Sequence, residues 1–247
     1  MRRKARQATK AENRPRFWGK HAVAAALDNE ERKVVRLWVT REAAEFLQPP
    51  KEIQVTYADV ADLARLVPGD APHQGMVAEV ERLEDILLAE LLDQAEDGRP
   101  LLVLDQVTDP HNVGAILRSA AAFDALGIVT QDRHAPPESG SLAKAASGAL
   151  ETVPWVRVVN LARELDEIAE AGFWRIGLAG DTEMTLSEAL GPQRVALVLG
   201  AEGEGMRQNT LAHCDAVARL PISERMESLN VSNAAAIALY AARTAAG

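Results

Sequence analysis

The sequence has almost no cysteine and no long apolar runs, and both shortages restrict where the protein can work. Among its 247 residues Cys214 is the single cysteine, which excludes an internal disulfide and fits a reducing compartment. No apolar stretch approaches the roughly 20 residues that a transmembrane helix requires. The arginine-rich start also lacks the apolar segment of a secretory signal. We therefore expect a cytoplasmic protein.

Side chains that bind metal ions are also few. The five histidines and the single cysteine show no spacing typical of a ligand set, so no metal is expected. The remaining composition, 47% hydrophobic and 26% charged, is that of an ordinary soluble globular protein. The length allows one large or two modest domains with a buried core.

Acidic charge dominates overall, with a formal net charge of −9 at pH 7. This argues against a nucleic-acid partner, because phosphate binding depends on Lys and Arg. The first twenty residues differ, since they hold eight Lys or Arg residues and one acid, Glu12. A basic arm, here residues 1–14, is a common way for an acidic body to reach a polyanion. A solvated tail without a partner and a transit peptide are the alternatives.

The first half of the chain has the pattern of a small α/β unit over residues 15–82. Short apolar runs rich in β-branched residues alternate with helical segments that begin or end at Asp59, Pro49-Pro50 and Pro68-Gly69. Strands are predicted at 34–39, 53–57 and 76–80, and helices at 21–27, 41–47 and 59–66. The result is a βαβαβ-like unit, followed by an acidic, leucine-rich linker over 83–99.

The second half, residues 100–247, alternates longer apolar strands with helices. Continuous apolar runs are typical of strands buried on both faces of a parallel sheet. Strands are predicted at 101–104, 127–129, 155–159, 174–178, 195–199 and 216–220, and helices at 112–123, 142–149, 161–171 and 228–242. Ligands bind beyond the carboxyl ends of strands in such sheets. Polar and glycine-rich clusters at those ends are therefore the candidate sites.

The first cluster follows the first of these strands. Residues 105–114 contain a proline turn that leads into a helix, and the free amides near Asn112 to Gly114 favour an anion at the helix start. Arg118 lies four residues beyond Gly114 and so on the same helix face, where a guanidinium suits a phosphate. The alternative for Arg118 is a surface salt bridge.

The second cluster is the glycine-rich segment 200–206, directly after the fifth strand. Its pattern is Gly-x-x-Gly-x-Gly, which differs from the Gly-x-Gly-x-x-Gly fingerprint of dinucleotide-binding proteins. Glu202 and Glu204 repel phosphates, so the acidity suits a cationic or hydroxyl-bearing ligand. The alternative is a tight glycine turn without a ligand.

The third cluster follows the sixth strand and spans 220–233. Leu220, Pro221 and Ile222 come first, then Ser223 to Glu227, and then residues 228–233, which are mostly small, polar or β-branched and enter the terminal helix. Ser228 has the hydroxyl expected of a helix N-cap, and that structural role competes with a catalytic one. Three polar clusters at the strand ends of one sheet indicate a ligand site more strongly than any one of them does.

Together the three clusters resemble the motifs of the SpoU (TrmH) branch of the SPOUT methyltransferases. Upstream, the segments formed by residues 18–23 and 73–76 are similar to the two ends of that family's substrate-binding domain. The resemblance therefore extends from Phe17 to the C-terminus. The matching segments are Asp109-Pro110-His111-Asn112-Val113-Gly114 with Arg118, the stretch Leu199-Gly200-Ala201-Glu202-Gly203-Glu204-Gly205-Met206, and Ser228-Leu229-Asn230-Val231-Ser232.

The resemblance implies a fold, a reaction and a cofactor. It implies a C-terminal α/β SPOUT domain with a parallel sheet and a deep trefoil knot, preceded by a small ribosomal-protein-L30e-like α/β domain. It also implies a homodimer that uses S-adenosyl-L-methionine to methylate a ribose 2′-hydroxyl in RNA. The sequence is most similar to members that act on a guanosine of 23S ribosomal RNA, and tRNA is the alternative substrate.

The resemblance also assigns roles to individual residues. Its catalytic or substrate-facing positions are Asn112, Arg118, Glu202, Ser228 and Asn230. Its cofactor-binding positions are Leu199, Gly200, Leu220, Pro221, Ile222 and Leu229. The RNA-binding residues that we predict, apart from the arm, are Arg14, Arg16, Lys20, His21, His73 and Gln74. For His21 and His73 the alternative is structural hydrogen bonding.

Two points depart from the family pattern. Family members often carry a glycine in the loop that here reads Ser223 to Glu227, so this loop needs another backbone path. Family proposals also make the arginine matching Arg118 a general base, although a guanidinium keeps its proton above about pH 12. We expect Arg118 to bind an RNA phosphate and to stabilise developing alkoxide charge.

Two other functions compete with methyl transfer. The first is a catalytically silent, ribosome-associated RNA-binding protein, which would have no use for the cofactor loops. The second is a nucleotide-binding oxidoreductase, which is suggested by the glycine-rich loop but disfavoured by the missing fingerprint.

Overall fold

The structure is a computed structural model that describes residues 14–69, 71–95, 98–223 and 225–245. The predicted basic arm up to residue 13 lies outside this range. The chain divides into two compact units. The first extends to Glu84 and also includes Pro137–Glu151, and the second holds Asp85–Pro136 and the chain from Thr152 onward.

The described chain contains ten strands and ten α-helices. The strands are β1 (Arg16–Trp18), β2 (Val34–Val39), β3 (Gln54–Tyr57), β4 (Met76–Val80), β5 (Leu101–Asp105), β6 (Gly127–Gln131), β7 (Trp155–Val158), β8 (Phe173–Leu178), β9 (Arg194–Gly200) and β10 (Ala216–Ala218). The helices are α1 (Lys20–Asp28), α2 (Arg41–Leu47), α3 (Val60–Ala64), α4 (Leu88–Leu92), α5 (Pro110–Ala122), α6 (Gly140–Ala146), α7 (Leu161–Glu170), α8 (Leu186–Ala189), α9 (Gln208–Leu211) and α10 (Val231–Ala245). Two short 3-10 helices span Asp132–His134 and Ala149–Glu151.

The first unit contains a four-stranded sheet in the order β1-β4-β2-β3. Strands β2 and β3 are parallel, whereas β4 is antiparallel to both β1 and β2. The predicted strands and helices of this half are present, and Asp59 caps α3 by accepting a hydrogen bond from the amide of Asp62 at 2.7 Å. The βαβαβ-like prediction was wrong on two points. It missed β1, which is only three residues long, and it did not foresee that β4 runs antiparallel.

The segment Pro137–Glu151 packs in the first unit although its neighbours along the chain belong to the second. The sequence analysis placed its helix with the second half. Gly140 explains part of the packing, because a Cβ at this position would overlap the ring of Trp18. No periodicity in the sequence indicates that this segment packs in a different unit from its neighbours along the chain. The predicted domain bounds stay a prediction.

A buried ionic cluster joins Arg32 to this segment. The guanidinium of Arg32 pairs with the carboxylates of Glu138 at 2.7 Å and Glu151 at 2.9 Å. It also donates to the carbonyl oxygen of Glu81 at 2.8 Å. The Arg32 side chain is wholly buried, so both glutamates depend on it for charge compensation.

We expect replacement of Arg32 by methionine to lower the free energy of unfolding by about 3–5 kcal/mol, because two carboxylates would be left buried without a counter-ion. Denaturant unfolding measures the change. Lys33→Met is the matched control, since Lys33 is an exposed neighbour and its loss should cost less than about 1 kcal/mol. Adding Glu138→Gln and Glu151→Gln to Arg32→Met should recover part of the loss. Equal effects of the Arg32 and Lys33 variants would contradict this account.

The second unit contains a six-stranded parallel sheet in the order β10-β8-β9-β5-β6-β7. All six predicted strands are present, and all five residues of β5 are buried. This confirms the predicted α/β class with a parallel sheet. The order reverses at β5, which lies between β6 and β9, and ligands of open α/β sheets commonly bind outside the carboxyl ends of strands near such a reversal.

The predicted linker is only partly a linker. Leu88 and Leu91 of α4 are buried in the core cluster of the second unit together with Leu101 and Val103 of β5. Burial of two leucines stabilises the unit by several kcal/mol, so α4 belongs to the sheet domain that it precedes.

Within the described residues, no helix is both long and apolar enough to cross a bilayer.

Candidate functional site

The loop after β5 turns sharply and then enters α5. Gln106 adopts a left-handed conformation with φ of +60° directly after the strand. Asp109 caps α5 by accepting a hydrogen bond from the amide of His111 at 3.0 Å, and Pro110 occupies the first helical turn. An acidic cap already occupies this helix start, which disfavours the anion that the free amides suggest in the sequence.

The loop after β9 is a closed turn. The amides and carbonyls of Ala201 and Gly205 exchange hydrogen bonds of 3.2 and 2.9 Å. A Cβ at Gly200 would overlap the backbone of Gly205 and Met206, so only glycine allows this close approach. Gly203 and Gly205 have φ of +80° and +69°, conformations that other residues rarely adopt.

The segment after β10 enters α10 later than predicted. The helix begins at Val231, and the side-chain oxygen of Asn230 accepts a hydrogen bond from the amide of Ser232 at 2.9 Å. Asn230 therefore occupies the capping position, which rules out the alternative in which Ser228 caps this helix. Ser228 is exposed and free for another role.

Three of the predicted catalytic residues meet in one polar cluster, which we call the Asn-Glu cluster: Asn112, Glu202 and Asn230. The side-chain amide of Asn230 donates to the oxygen of Asn112 at 3.0 Å and also to the carboxylate of Glu202. Glu202 accepts a second hydrogen bond from the amide of Val231 at 3.2 Å. The loops after β5, β9 and β10 thus converge, although they are far apart in the sequence.

A cleft of about 910 Å³ lies beside this cluster at the carboxyl ends of β8, β9 and β10. Its volume is within the usual range for small-molecule sites. Five of the six predicted cofactor-binding residues line it, as do Glu202 and Ser228, whereas Pro221 does not. The lining residues are Leu178, Ala179, Gly180, Asp181, Leu199, Gly200, Ala201, Glu202, Gly203, Glu204, Gly205, Met206, Leu211, Arg219, Leu220, Ile222, Glu227, Ser228, Leu229, Val231 and Ala234.

The lining of the cleft is apolar and acidic. Its acids are Asp181, Glu202, Glu204 and Glu227, and its single cation is Arg219. Such a lining repels phosphates and favours a ligand that carries positive charge, hydroxyl groups and apolar surface. This agrees with the ligand class that the acidity of the glycine-rich loop suggested.

Arg118 is not part of this arrangement. Its side chain is exposed on α5, does not line the cleft, and forms no hydrogen bond or ion pair with any described residue. The structure therefore brings four of the five predicted catalytic residues to the cleft or the Asn-Glu cluster and leaves Arg118 outside. A surface salt bridge, the alternative for Arg118, is absent from the described residues as well.

The sequence analysis missed an ion pair that braces two of the loops. Asp105, the last residue of β5, is fully buried and accepts hydrogen bonds from the backbone amide and the guanidinium of Arg207 at 2.9 and 2.8 Å. Arg207 also donates to Gln131 at 2.7 Å. Because Arg207 directly follows the glycine-rich turn, the pair fixes that turn to the end of β5. The sequence signal for this ion pair was an acid, Asp105, at the end of an apolar strand.

In the segment Ser223 to Glu227, which lacks the glycine that family members often carry, the described residues form local hydrogen bonds to Ser223. The amides of Arg225 and Met226 donate to the hydroxyl and the carbonyl of Ser223 at 3.3 and 3.1 Å. None of its described residues has a positive φ.

The predicted RNA-binding residues of the first unit differ in exposure. Arg16, Lys20, His21 and Gln74 are exposed. His73 is buried and its Nδ1 atom accepts a hydrogen bond from the amide of Gly75 at 3.2 Å, which favours the structural alternative.

Arg14 has an acidic partner. Its guanidinium pairs with the carboxylate of Glu81 at 2.8 Å, so an RNA phosphate would have to compete with that carboxylate.

Cys214 lies between α9 and β10 and packs against the core of the second unit. Burial raises the pKa of its thiol to about 11, so the thiol stays protonated at neutral pH and has no nucleophilic role. The described residues also contain no group of three or more His, Cys, Asp or Glu side chains arranged to hold a metal ion.

Sequence profiles of two families match the chain. The SpoU rRNA Methylase family matches residues 99–240, and the family described as RNA 2′-O ribose methyltransferase substrate binding matches residues 17–86. The first match alone covers more than half of the chain and contains the Asn-Glu cluster and the cleft.

Several curated proteins are similar over most of the chain. The 23S rRNA (guanosine-2′-O-)-methyltransferase RlmB of Ralstonia nicotianae is 42% identical over 232 residues, which are 91% of this chain and 93% of that protein. RlmB of Pseudomonas syringae pv. tomato is 36% identical over 92% of this chain and 94% of its own length. An uncharacterized tRNA/rRNA methyltransferase of Synechocystis is 39% identical over 91% of this chain, which spans 61% of that relative.

Solved structures share the fold. The SpoU methyltransferase AviRb from Streptomyces viridochromogenes superimposes with a TM-score of 0.80 at 22% identity, covering 96% of this chain and 91% of AviRb. AviRb in complex with AdoMet gives a TM-score of 0.78 at 23% identity, covering 93% of this chain and 89% of that one.

Proposed function

Because the chain belongs to the SpoU rRNA Methylase family, we propose that it transfers a methyl group from S-adenosylmethionine to the ribose 2′-hydroxyl of a guanosine in 23S ribosomal RNA. The observation that carries the proposal is the Asn-Glu cluster at the edge of an acidic and apolar cleft. The relatives from Ralstonia and Pseudomonas are 23S rRNA (guanosine-2′-O-)-methyltransferases, which supports the substrate and the position of methylation.

The residues of the cleft fit S-adenosylmethionine. This molecule carries a sulfonium and an amino group but no phosphate, and the cleft has four acids against one arginine. Leu199, Leu220 and Leu229 offer apolar surface, and Gly200 exposes backbone. These residues and Ile222 would hold the cofactor, with Pro221 as the remaining predicted contact. When bound, the cofactor supplies an activated methyl group.

The chain's own residues must orient the ribose against that group, since in-line positioning contributes several kcal/mol to such transfers. The side-chain nitrogen of Asn230 donates to Asn112, and its side-chain oxygen accepts from the amide of Ser232. The direction of the Asn230 side chain is therefore fixed before substrate binds. Asn112 keeps lone pairs for a ribose hydroxyl. The carboxylate of Glu202 accepts hydrogen bonds from the side-chain amide of Asn230 and the backbone amide of Val231. These bonds attach the turn after β9 to the start of α10.

Arg118 acts on the RNA rather than on a proton in this proposal. A guanidinium binds a phosphate and stabilises the charge that develops on the ribose oxygen, and it does not need to change its protonation state. Its exposed position and lack of partners in the described chain leave it available to RNA.

We assign the protein a homodimeric state, in which Arg118 serves the site of the other copy. Two observations support this. Arg118 lies outside the Asn-Glu cluster of its own chain, and α10 exposes an apolar stripe that includes Ile237 and Tyr240, with 46% and 59% of their side chains accessible. Phe123 packs edge-on against Tyr240 at a centroid distance of 5.9 Å and extends that surface.

Mixing two inactive variants tests the shared site. Arg118→Ala and Asn230→Ala should each abolish most activity alone. In a dimer with exchanged subunits one site would be wholly intact, so an equimolar mixture should regain roughly a quarter of wild-type turnover. Mixing two separately prepared Arg118→Ala samples is the control. A mixture as inactive as its parents places Arg118 in the site of its own chain.

The remaining predictions complete the proposal. The first unit is an L30e-like RNA-binding domain, helped by the arm, and the chain of the second unit is knotted. The profile match over residues 17–86 supports the first of these. The return of α10 from the β10 edge to pack against α5 and β9 is compatible with the second. We also propose a cytoplasmic location, which suits an enzyme whose substrate is ribosomal RNA.

Methylation mapping tests the function directly. Purified protein, labelled S-adenosylmethionine and an unmethylated 23S transcript should give label at one guanosine, at a ribose that resists alkaline cleavage. Calorimetry should show binding of the cofactor without RNA, which a catalytically silent RNA-binding protein would lack. A parallel reaction with tRNA transcripts tests the second substrate, and label in tRNA alone would overturn the ribosomal assignment while leaving methyl transfer in place.

A further inference from the structure

Lys144, in the segment Pro137–Glu151, contributes a cation beside the predicted RNA-binding residues of the first unit. It lies on α6, and its ammonium donates a hydrogen bond of 2.7 Å to the side-chain oxygen of Gln74. The same oxygen accepts a hydrogen bond of 3.0 Å from the backbone amide of Lys20, at the start of α1. One amide oxygen therefore joins two parts of the chain that are separated by more than a hundred residues.

Gly19 provides the space for this ammonium. A Cβ at position 19 would overlap the Nζ atom of Lys144 and would lie 2.9 Å from the side-chain oxygen of Gln74. Gly19 also has φ of +85°, a conformation that side chains disfavour. The backbone around Lys144 is therefore shaped to leave room for its long side chain.

Both lysines are held by neutral groups. The ammonium of Lys20 lies 3.7 Å from the ring centroid of Phe46, and that of Lys144 is bonded to an amide. Neither ammonium forms an ion pair with an acid in the described chain, although the protein has 36 acids and only 27 Lys and Arg residues. Desolvation lowers the pKa of Lys144 below its ordinary value, so burial without a counter-ion is unfavourable for its charge.

We propose that Lys144, Lys20 and Gln74 form a binding subsite for an RNA backbone phosphate, outside the catalytic cleft. The inference rests on the proposed function and extends it to Lys144, which belongs to the stretch matched by the methylase profile and not to the substrate-binding profile. A phosphate bound by the Lys144 ammonium would supply its missing counter-charge, and the side chain of Lys20, whose backbone amide shares the Gln74 oxygen with Lys144, would add a second cation to the subsite. The amide nitrogen of Gln74 adds a neutral donor.

The surroundings favour RNA as the source of that phosphate. His21 lies next to Lys20 and is exposed, and Phe46 is 53% exposed. An exposed aromatic residue beside cationic side chains is typical of surfaces that bind unstacked bases and the backbone between them. The subsite would dock the substrate while the cleft holds the cofactor.

Replacement of Lys144 by glutamine tests the proposal, with Lys51→Gln as the matched control. Lys51 is exposed in a turn of the same unit, so both changes remove one positive charge. The probe is an unmethylated 23S transcript, and binding is measured by fluorescence anisotropy from about 50 to 200 mM salt. We expect Lys144→Gln to weaken binding about tenfold and to reduce the slope of log K against log salt by about 0.7–0.9. Lys51→Gln should leave both unchanged.

Further measurements separate the subsite from folding and from the proposed function. Lys144→Arg keeps a cation and should retain most of the affinity, and thermal unfolding should show that Lys144→Gln is folded. The affinity for S-adenosylmethionine should stay at the wild-type value in all variants. If the wild type binds and methylates the transcript while Lys144→Gln and Lys51→Gln have the same affinity and slope, the subsite is wrong and the function stands. If the wild type binds neither cofactor nor transcript, the proposed function itself fails.

Discussion

Gly200→Ala should abolish methyl transfer and weaken the binding of S-adenosylmethionine at least a hundredfold. The added Cβ would overlap the backbone of Gly205 and Met206, and backbone atoms cannot swing aside as a flexible side chain can. The turn must therefore open. Gly200 lines the cleft between Leu199 and Ala201, so an open turn changes the surface against which the cofactor is expected to lie. Isothermal calorimetry with the cofactor alone measures the loss.

Gly203→Ala is the matched control in the same turn. Gly203 has φ of +80° but no atom within 4 Å of an added Cβ, so this change introduces conformational strain without a steric overlap. Strain of this kind costs about 1–2 kcal/mol, and we expect the cofactor affinity to fall less than tenfold. Equal losses in the two variants would show that the turn depends on glycine flexibility and not on the close approach at Gly200.

Asn230→Asp should lower kcat for the 23S transcript by two to three orders of magnitude at pH 8. The substitution keeps the shape of the side chain but replaces the amide donor with a carboxylate that faces the carboxylate of Glu202. Two such groups in contact repel each other, and the donor to Asn112 is lost. Removal of one well-placed polar group in a preorganised site has effects of this size. Single-turnover methylation measures it.

The pH dependence of Asn230→Asp distinguishes repulsion from a general loss of packing. Contact between two carboxylates raises the pKa of one of them. As the pH falls through that raised pKa, the pair shares a proton and the donor is partly restored. The ratio of variant to wild-type activity should therefore rise as the pH is lowered from 8 to 5.5. A ratio that is flat across this range would contradict a role of the amide donor.

Asn233→Asp serves as the control for charge. Asn233 lies three residues further along, in the first turn of α10, is exposed, and forms no hydrogen bond through its side chain in the described chain. The same change of charge there should leave kcat within about twofold of wild type, since surface substitutions of this kind have small effects. It would also test whether added negative charge alone repels the RNA.

Much of the fold was predictable from the sequence. The runs 101–104 and 195–199 are apolar at successive positions, and a strand with that pattern must be covered on both faces, so the parallel sheet follows from the hydrophobic effect and the connection rules. Asp59 before an apolar helical pattern located the start of α3 for an equally local reason. The glycines at 203 and 205 marked a turn because the conformations they adopt are restricted for other residues.

Other features depended on tertiary structure. Strand β1 has three residues and forms only because β4 lies beside it. Ser228 and Asn230 both have side chains suited to a helix cap. Asn230 takes the position because its side-chain nitrogen donates to Asn112 and Glu202, which holds its oxygen toward the amide of Ser232. Sequence spacing gives no information on such long-range partners.

The chemistry of the clusters was therefore readable from residue types and the order of elements, because strand ends of a parallel sheet meet at one edge. The pairings within and around them were not. Asp105 with Arg207, Arg32 with Glu138, and Lys144 with Gln74 each join residues at least 70 positions apart. The physical reason is that a charged or polar side chain has no preferred partner until the fold removes water from around it.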